Sequence, residues 1–264
     1  MLTYHRDLLE PNCNQTLAET ILDMQLLSQL TTRLRLYSPE CNQTAMVLEA
    51  IKQSKTNLNV FLGMYRGAHE DDYQRQKTAL REALQTYGTS NILGITVDHV
   101  RAVRPAPVND TKDVDMMERD FRDIDQMLRS INVDIQIGPV DGASFNTTFP
   151  DNWDFRCAFI IPQRLTTKVA DLFLSSSSMV RVDPWDRKRP IQDAAKWSFD
   201  FFDEANLGLT RFRQQPKPTY MVEVGWPTNA ESTSFNRSAP SVENLQIFIN
   251  NFVCVANTQG VRYL

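Results

Sequence analysis

The chain has 264 residues, 42% hydrophobic and 23% charged, with a formal net charge of −4. That is apolar enough to bury a sizeable core, and it excludes a disordered or fibrous chain. The slight acidic excess carries no basic arm, so no nucleic-acid partner is expected, and no run of about eighteen apolar residues exists to span a bilayer as a helix.

Short β-rich runs alternate with segments of helical period along the chain. Leu2 to His5 reads as a weak first strand, and Ala18 to Leu30 places Ile21, Leu22, Leu26, Leu27 and Leu30 at helical spacing. Thr32 to Tyr37 then switches to period two. A helix over Asn42 to Ser54, which Asn42 could cap, precedes a strand at Asn59 to Tyr65, a helix at Tyr73 to Tyr87 and a strand at Ile92 to Val97. Arg101 to Asp115, with Pro105 and Pro107, reads as an irregular loop. After it come a helix at Glu118 to Ser130 and a strand at Asp134 to Gly138. Phe145 to Ser178 shows only one candidate helix, Thr167 to Leu174. The remainder reads as strand Met179 to Trp185, helix Ile191 to Asn206, strand Thr219 to Val224, helix Val242 to Asn257 and strand Val261 to Leu264. Eight strands joined mainly by helices predict an α/β chain folded as a (β/α)8 barrel, incomplete after the eighth strand, in a single domain over 1–264.

In a barrel wrapped by helices the outward strand face must be apolar. Leu34 and Leu36 therefore face the helices, while Arg33, Arg35 and Tyr37 face inward. The same alternation turns Arg181, Asp183 and Trp185 inward, and puts Glu223 on one face with Met221 and Thr219. Arg35, Arg181, Asp183 and Glu223 thus gather towards the carboxyl-terminal mouth, where sites on this fold sit. Glu223 lies in the apolar run Tyr220-Met-Val-Glu-Val-Gly-Trp-Pro-Thr228, and a carboxylate placed so is either a catalyst or a counter-ion to Arg35. Trp185 and Trp226 read equally as core residues or as indoles that stack on sugar rings.

Four cysteines, Cys13, Cys41, Cys157 and Cys254, and three scattered histidines show no metal-site spacing, so no metal or cofactor is expected. Sequons at Asn14, Asn42, Asn109, Asn146 and Asn236, with the even cysteine count, point to a secreted protein. Met1 to Asp7 carries no signal-peptide pattern.

Four segments together resemble the fungal β-1,3-glucanases of glycoside hydrolase family 17. They are Leu30-Thr-Thr-Arg-Leu-Arg-Leu-Tyr-Ser-Pro-Glu-Cys-Asn-Gln-Thr44, Tyr87-Gly-Thr with Ile92-Leu-Gly-Ile-Thr-Val97, Glu223-Val-Gly-Trp-Pro-Thr228, and Ser241-Val-Glu-Asn-Leu-Gln-Ile-Phe248. The resemblance implies a retaining (β/α)8 hydrolase of β-1,3-glucan in the extracellular space or cell wall, with some members acting as glucan transferases. It implies Glu223 as nucleophile and a disulfide between Cys13 and Cys41. Tyr37, Arg35, Asp183, Trp185 and Trp226 become the expected substrate-side residues, on a monomer. Cys157 and Cys254 are left either paired or as free thiols.

One part of the pattern is broken. The family's proton donor is the Glu of Gly-Asn-Glu after the fourth strand, and here that place reads Asp98-His99-Val100. A retaining mechanism needs two carboxyl groups about 5 to 5.5 Å apart. Asp98 is the substitute acid in the sequence, two residues back on the same face and about 6 to 7 Å lower along the strand. His99 points to the other face of a regular strand. The expected activity is β-1,3-glucan hydrolysis, endo or exo, with a glucan transferase or a catalytically impaired glucan-binding relative as the alternatives.

Overall fold

The computed structural model describes residues 2–4, 13–66, 69–99, 111–141, 178–181, 184–185, 188–210, 219–222, 224–229 and 239–263. Two compact units, 1–140 and 141–264, make up the chain.

In the first unit the order is β1 (Leu2–Tyr4), α1 (Leu17–Leu27), β2 (Arg33–Leu36), a 3₁₀ turn (Glu40–Asn42), α2 (Gln43–Ser54), β3 (Asn59–Arg66), α3 (Glu70–Tyr87), β4 (Ile92–His99), α4 (Thr111–Ser130) and β5 (Ile137–Asp141). The strands pair in chain order and all in parallel, with Arg35 between Thr3 and Phe61, and Asp98 between Tyr65 and Val140. One face of this sheet is apolar: Leu34, Leu36, Val60, Leu62, Met64, Ile95 and Val97 pack with Met24 of α1, Val47, Leu48 and Ile51 of α2, and Leu80 and Leu84 of α3. This is the helix-facing side that alternation in β2 predicts. Thr16 starts α1 through a capping box with Glu19. Between α3 and α4, the Tyr73 hydroxyl lies 3.0 Å from Asp123 Oδ2 and 3.1 Å from the Asp120 carbonyl, and Lys77 Nζ donates to Asp123 Oδ2 at 2.8 Å.

Several boundaries differ from the sequence expectation. α3 begins at Glu70, where three acidic residues, Glu70, Asp71 and Asp72, sit favourably at the positive end of the helix dipole. α4 begins at Thr111, so the last five residues of the expected loop are helical. The fifth strand is displaced to Ile137–Asp141, because its ladder on β4 opens with Ile95 opposite Ile137. Asn42 takes the cap position of α2 in the left-handed region (φ 57°), and its side chain caps nothing. Arg33, expected inside, is exposed at the amino end of β2.

The second unit holds β6 (Ser178–Arg181), α5 (Ile191–Thr210), β7 (Thr219–Val222) and α6 (Val242–Gln259). β6 and β7 run parallel from Ser178 opposite Thr219 to Arg181 opposite Val222. The expected eighth strand is a single parallel bridge from Tyr263 to Met221, beside a bond from Met221 N to the Arg262 carbonyl at 2.7 Å. Aromatic side chains fill the core: Phe199 stacks on Phe252 at 4.9 Å, Phe248 on Phe252 at 5.3 Å, and Tyr263 meets Phe252 edge-on at 5.2 Å. Ser241 caps α6 by accepting from Asn244 N at 3.0 Å, and Gly260 ends it in the left-handed conformation. The expected helix Thr167 to Leu174 lies outside the described residues.

Candidate active site

At the carboxyl end of β2, Arg35 and Tyr37 stand two residues apart on the face opposite Leu34 and Leu36. Arg35 is 0% exposed, and its guanidinium carbon lies 4.7 Å from the centre of the half-buried Tyr37 ring. A guanidinium removed from water is costly unless anions or π faces receive it, and the Tyr37 ring supplies one such partner. The chain leaves the strand through a tight turn in which the Ser38 hydroxyl accepts from Glu40 N at 3.1 Å. Cys41 and Asn42 both adopt positive φ there. A disulfide joins Cys41 to Cys13 across a sequence separation of 28, as the resemblance implies, and so ties this turn to the start of α1.

β3 shapes the same face. A side chain on Gly63 would collide with the backbone carbonyls of Leu36 and Tyr37, so the exit of β2 lies where a Cβ would stand. Beyond Gly63 comes Tyr65, 37% exposed, whose backbone N–H and C=O are both held by the buried Gln76 amide, at 3.0 and 2.9 Å. Leu62 and Met64 face the helices, so Phe61, Gly63 and Tyr65 share the face of Arg35 and Tyr37. Tyr65 is the residue that the sequence reading missed; the alternation argument used for β2 would have found it.

The β4 ladder is regular from Phe61↔Gly94 to Arg66↔His99, two residues longer than expected. Position 98 is thus opposite Tyr65 and in phase with Gly94 and Thr96, and position 99 is out of phase with them. Val100, in the place of the family's donor, lies outside the described residues.

In the second unit, Trp226 is 5% exposed and packs in the aromatic core, its Nε1 donating to the Ala239 carbonyl at 3.0 Å. Pro227 O accepts from Ser241 N at 3.1 Å, so the Gly-Trp-Pro segment is docked on the start of α6. Trp185 lies in a turn after β6 rather than within the strand, and it is half-buried against the same core. Met221, expected on the inward face, is 0% exposed within that apolar cluster. The β7 ladder ends at Val222, and Glu223 and Asp183 lie outside the described residues. Cys254 is an exposed free thiol, and Cys157 lies outside the described residues. No described helix is long and apolar enough to cross a membrane.

Comparison with known proteins gives this arrangement its relatives. The chain superimposes on a glycoside hydrolase family 17 β-1,3-glucanosyltransferase from Rhizomucor miehei with a TM-score of 0.70 and 19% identity, over 99% of this chain and 84% of the other. The chain has the (β/α)8 fold of glycoside hydrolase family 17. An active-site mutant of the Rhizomucor enzyme in complex with laminaritriose matches at TM-score 0.71 with 18% identity, over the same shares of the two chains. An endo-laminarinase from Formosa matches at 0.67 and 14%, over 99% of this chain and 76% of that one. In sequence, a putative glucan endo-1,3-β-glucosidase of Aspergillus niger is 26% identical over 252 residues, 91% of this chain and 33% of its own length. A probable glucan endo-1,3-β-glucosidase of Aspergillus fumigatus is 26% identical over 251 residues, again 91% of this chain and 33% of the relative. The chain therefore spans about a third of the length of these curated relatives. No family model matches it.

Proposed function

We propose that this chain is the glucan-handling barrel of a retaining β-1,3-glucan hydrolase acting on cell-wall polysaccharide, folded as one domain over 1–264. The observation that carries the reading is the 26% identity to glucan endo-1,3-β-glucosidases across 91% of the chain, on a family 17 fold. Glu223 is the nucleophile that attacks the anomeric carbon, and Asp98 is the acid that protonates the leaving oxygen. Arg35, buried with its guanidinium over the Tyr37 ring, is the cation on the substrate-facing side of β2. Tyr37, with Tyr65 on the adjacent strand, and Trp185 line the sugar, with Asp183 as a polar contact. Trp226 acts on the substrate indirectly, by fixing the segment that follows Glu223. Breakdown of the glycosyl-enzyme by water gives hydrolysis; breakdown by a sugar hydroxyl gives transfer. The protein works outside the cell as a glycosylated monomer on β-1,3-glucan, without metal, cofactor or nucleic acid.

Val100, where the family carries its proton donor, favours a second reading, a relative that holds glucan without cutting it. The deciding experiment compares the purified chain with Glu223→Ala and Asp98→Asn on laminarin oligosaccharides and on an activated aryl β-glucoside, with oligosaccharide binding followed in parallel. Cleavage of both substrates that both substitutions abolish supports the hydrolase with Asp98 as acid. Cleavage of the aryl glycoside alone, lost in Glu223→Ala, means that the nucleophile survives without an acid, because an activated leaving group needs no proton. Binding without any cleavage supports the second reading.

A further inference from the structure

The tetrapeptide Cys-Asn-Gln-Thr occurs twice, as Cys13-Asn14-Gln15-Thr16 and as Cys41-Asn42-Gln43-Thr44. The two copies are bound to each other by the Cys13–Cys41 disulfide. Each cysteine adopts a positive φ, 53° at Cys13 and 51° at Cys41; Thr16 of the first copy caps α1, and Gln43 and Thr44 of the second open α2. Both copies are sequons for asparagine-linked glycan.

The fold exposes the asparagine of both sequons but treats their threonines differently. Asn14, Asn42 and Thr16 are exposed, whereas Thr44 is buried. Thr16 Oγ1 is locked into the cap of α1, accepting from Glu19 N at 3.3 Å and donating to Glu19 Oε2 at 2.9 Å. Thr44 is 1% exposed, and its Oγ1 has no hydrogen-bond partner among the described residues. A buried hydroxyl left unsatisfied costs stability, so the fold gains nothing from the polar atom of Thr44. Asn42 is equally idle. Asparagine is among the strongest helix caps because its side chain accepts from the first turn, yet here Asn42 lies in the left-handed region and its side chain caps nothing.

We propose that Asn14 and Asn42 are a pair of glycan acceptors bracketing the disulfide, with Asn42 modified before α2 closes over Thr44. In the step, the Asn Nδ2 attacks the anomeric carbon of an oligosaccharide carried on a lipid diphosphate. The new bond is C–N and the anomeric C–O bond to phosphate breaks. The lipid diphosphate leaves with the electron pair, and a base of the transferase takes the amide proton. Because the Thr44 hydroxyl is sequestered once the chain folds, acceptance at Asn42 is a race against folding. Asn42 depends on the deeper threonine and is the acceptor more sensitive to disulfide closure.

The proposal rests on the part of the functional reading that places this chain in the secretory route. It is independent of whether glucan is cut. The test expresses the full chain behind a secretory leader in a eukaryotic host, then treats it with a peptide:N-glycan amidase, which converts each glycosylated Asn to Asp, and reads peptides by mass spectrometry. Asp at positions 14 and 42 is expected, with one glycan lost in Asn14→Gln and one in Asn42→Gln. The double substitution Cys13→Ser, Cys41→Ser keeps both sequons and should raise occupancy at Asn42 more than at Asn14. Peptides report this whether or not the variant folds. Unmodified Asn at both positions in a secreted chain overturns the proposal. Unmodified Asn42 in both the parent and the cysteine-free variant overturns the pairing and the race. Laminarin cleavage by the same preparations, present or absent, bears only on the hydrolase reading.

Discussion

Replacing both Cys13 and Cys41 by Ser should remove a large share of the stability of the first unit. The bridge spans a sequence separation of 28. Its chain-entropy contribution is about 12 cal/mol/K, or roughly 3.6 kcal/mol at 25 °C. With a urea dependence of about 3 kcal/mol/M for a chain of this size, the midpoint should fall by about 1.2 M. The probe matters: all 4 tryptophans lie beyond residue 150, so intrinsic fluorescence follows the other unit. Hydrogen exchange of peptides across 13–66 during the urea series reports the right one. The same peptides should lose protection first at the turn 38–42, whose left-handed residues are anchored by the bridge. A loss under about 1 kcal/mol would refute the entropic account and mean that the denatured chain already keeps α1 near that turn.

Further outcomes follow from single contacts. Gly63→Ala drives a methyl into the Leu36 and Tyr37 carbonyls and should cost about 2 to 3 kcal/mol by chemical denaturation. Gly225→Ala, which meets no atom of the described residues within 4 Å, should change stability by less than about 0.5 kcal/mol. Tyr73→Phe removes the buried hydroxyl that bridges α3 to Asp120 and Asp123 of α4, a loss of about 1 to 1.5 kcal/mol in the same assay. Ser241→Ala should cost about 1 kcal/mol through the lost cap of α6. Hydrogen bonds from its own backbone N–H and then from Ser241 hold the Glu243 carboxyl below the ordinary glutamate range. A depressed carboxyl stabilises the fold above its unfolded pKa, and that contribution fades as pH falls through the folded value. An NMR titration should therefore place Glu243 below the other exposed glutamates, and Ser241→Ala should move it upward.

Much of the first unit was legible because its information is local. Leu34 and Leu36 alternate with Arg35 within six residues, and a period of two has only one way to lie on a half-buried sheet. The stripe of Val47, Leu48 and Ile51 specifies the buried face of α2 in the same manner. The reading failed where a residue's state depends on a distant partner. Asp134 to Gly138 is as β-like as its successors, and only the pairing of Ile95 with Ile137 chose the register. Arg33 obeys the alternation but lies at the strand end, where phase does not decide burial.

The chemistry divides along the same line. Sequence alone placed Arg35 and Tyr37 on one inward face, singled out Glu223 in its apolar run, and showed Val100 standing where the family keeps an acid, because residue type and strand phase are written in order along the chain. Tertiary structure alone decided that Trp226 is core rather than an open wall, since its Nε1 partner is the carbonyl of Ala239, 13 residues away. It alone turned Asn42 from an expected cap into an idle, exposed side chain, and made Gly63 necessary, since that requirement comes from the path of β2. A sequence carries the periodicity of one strand, but not how closely the next will pass.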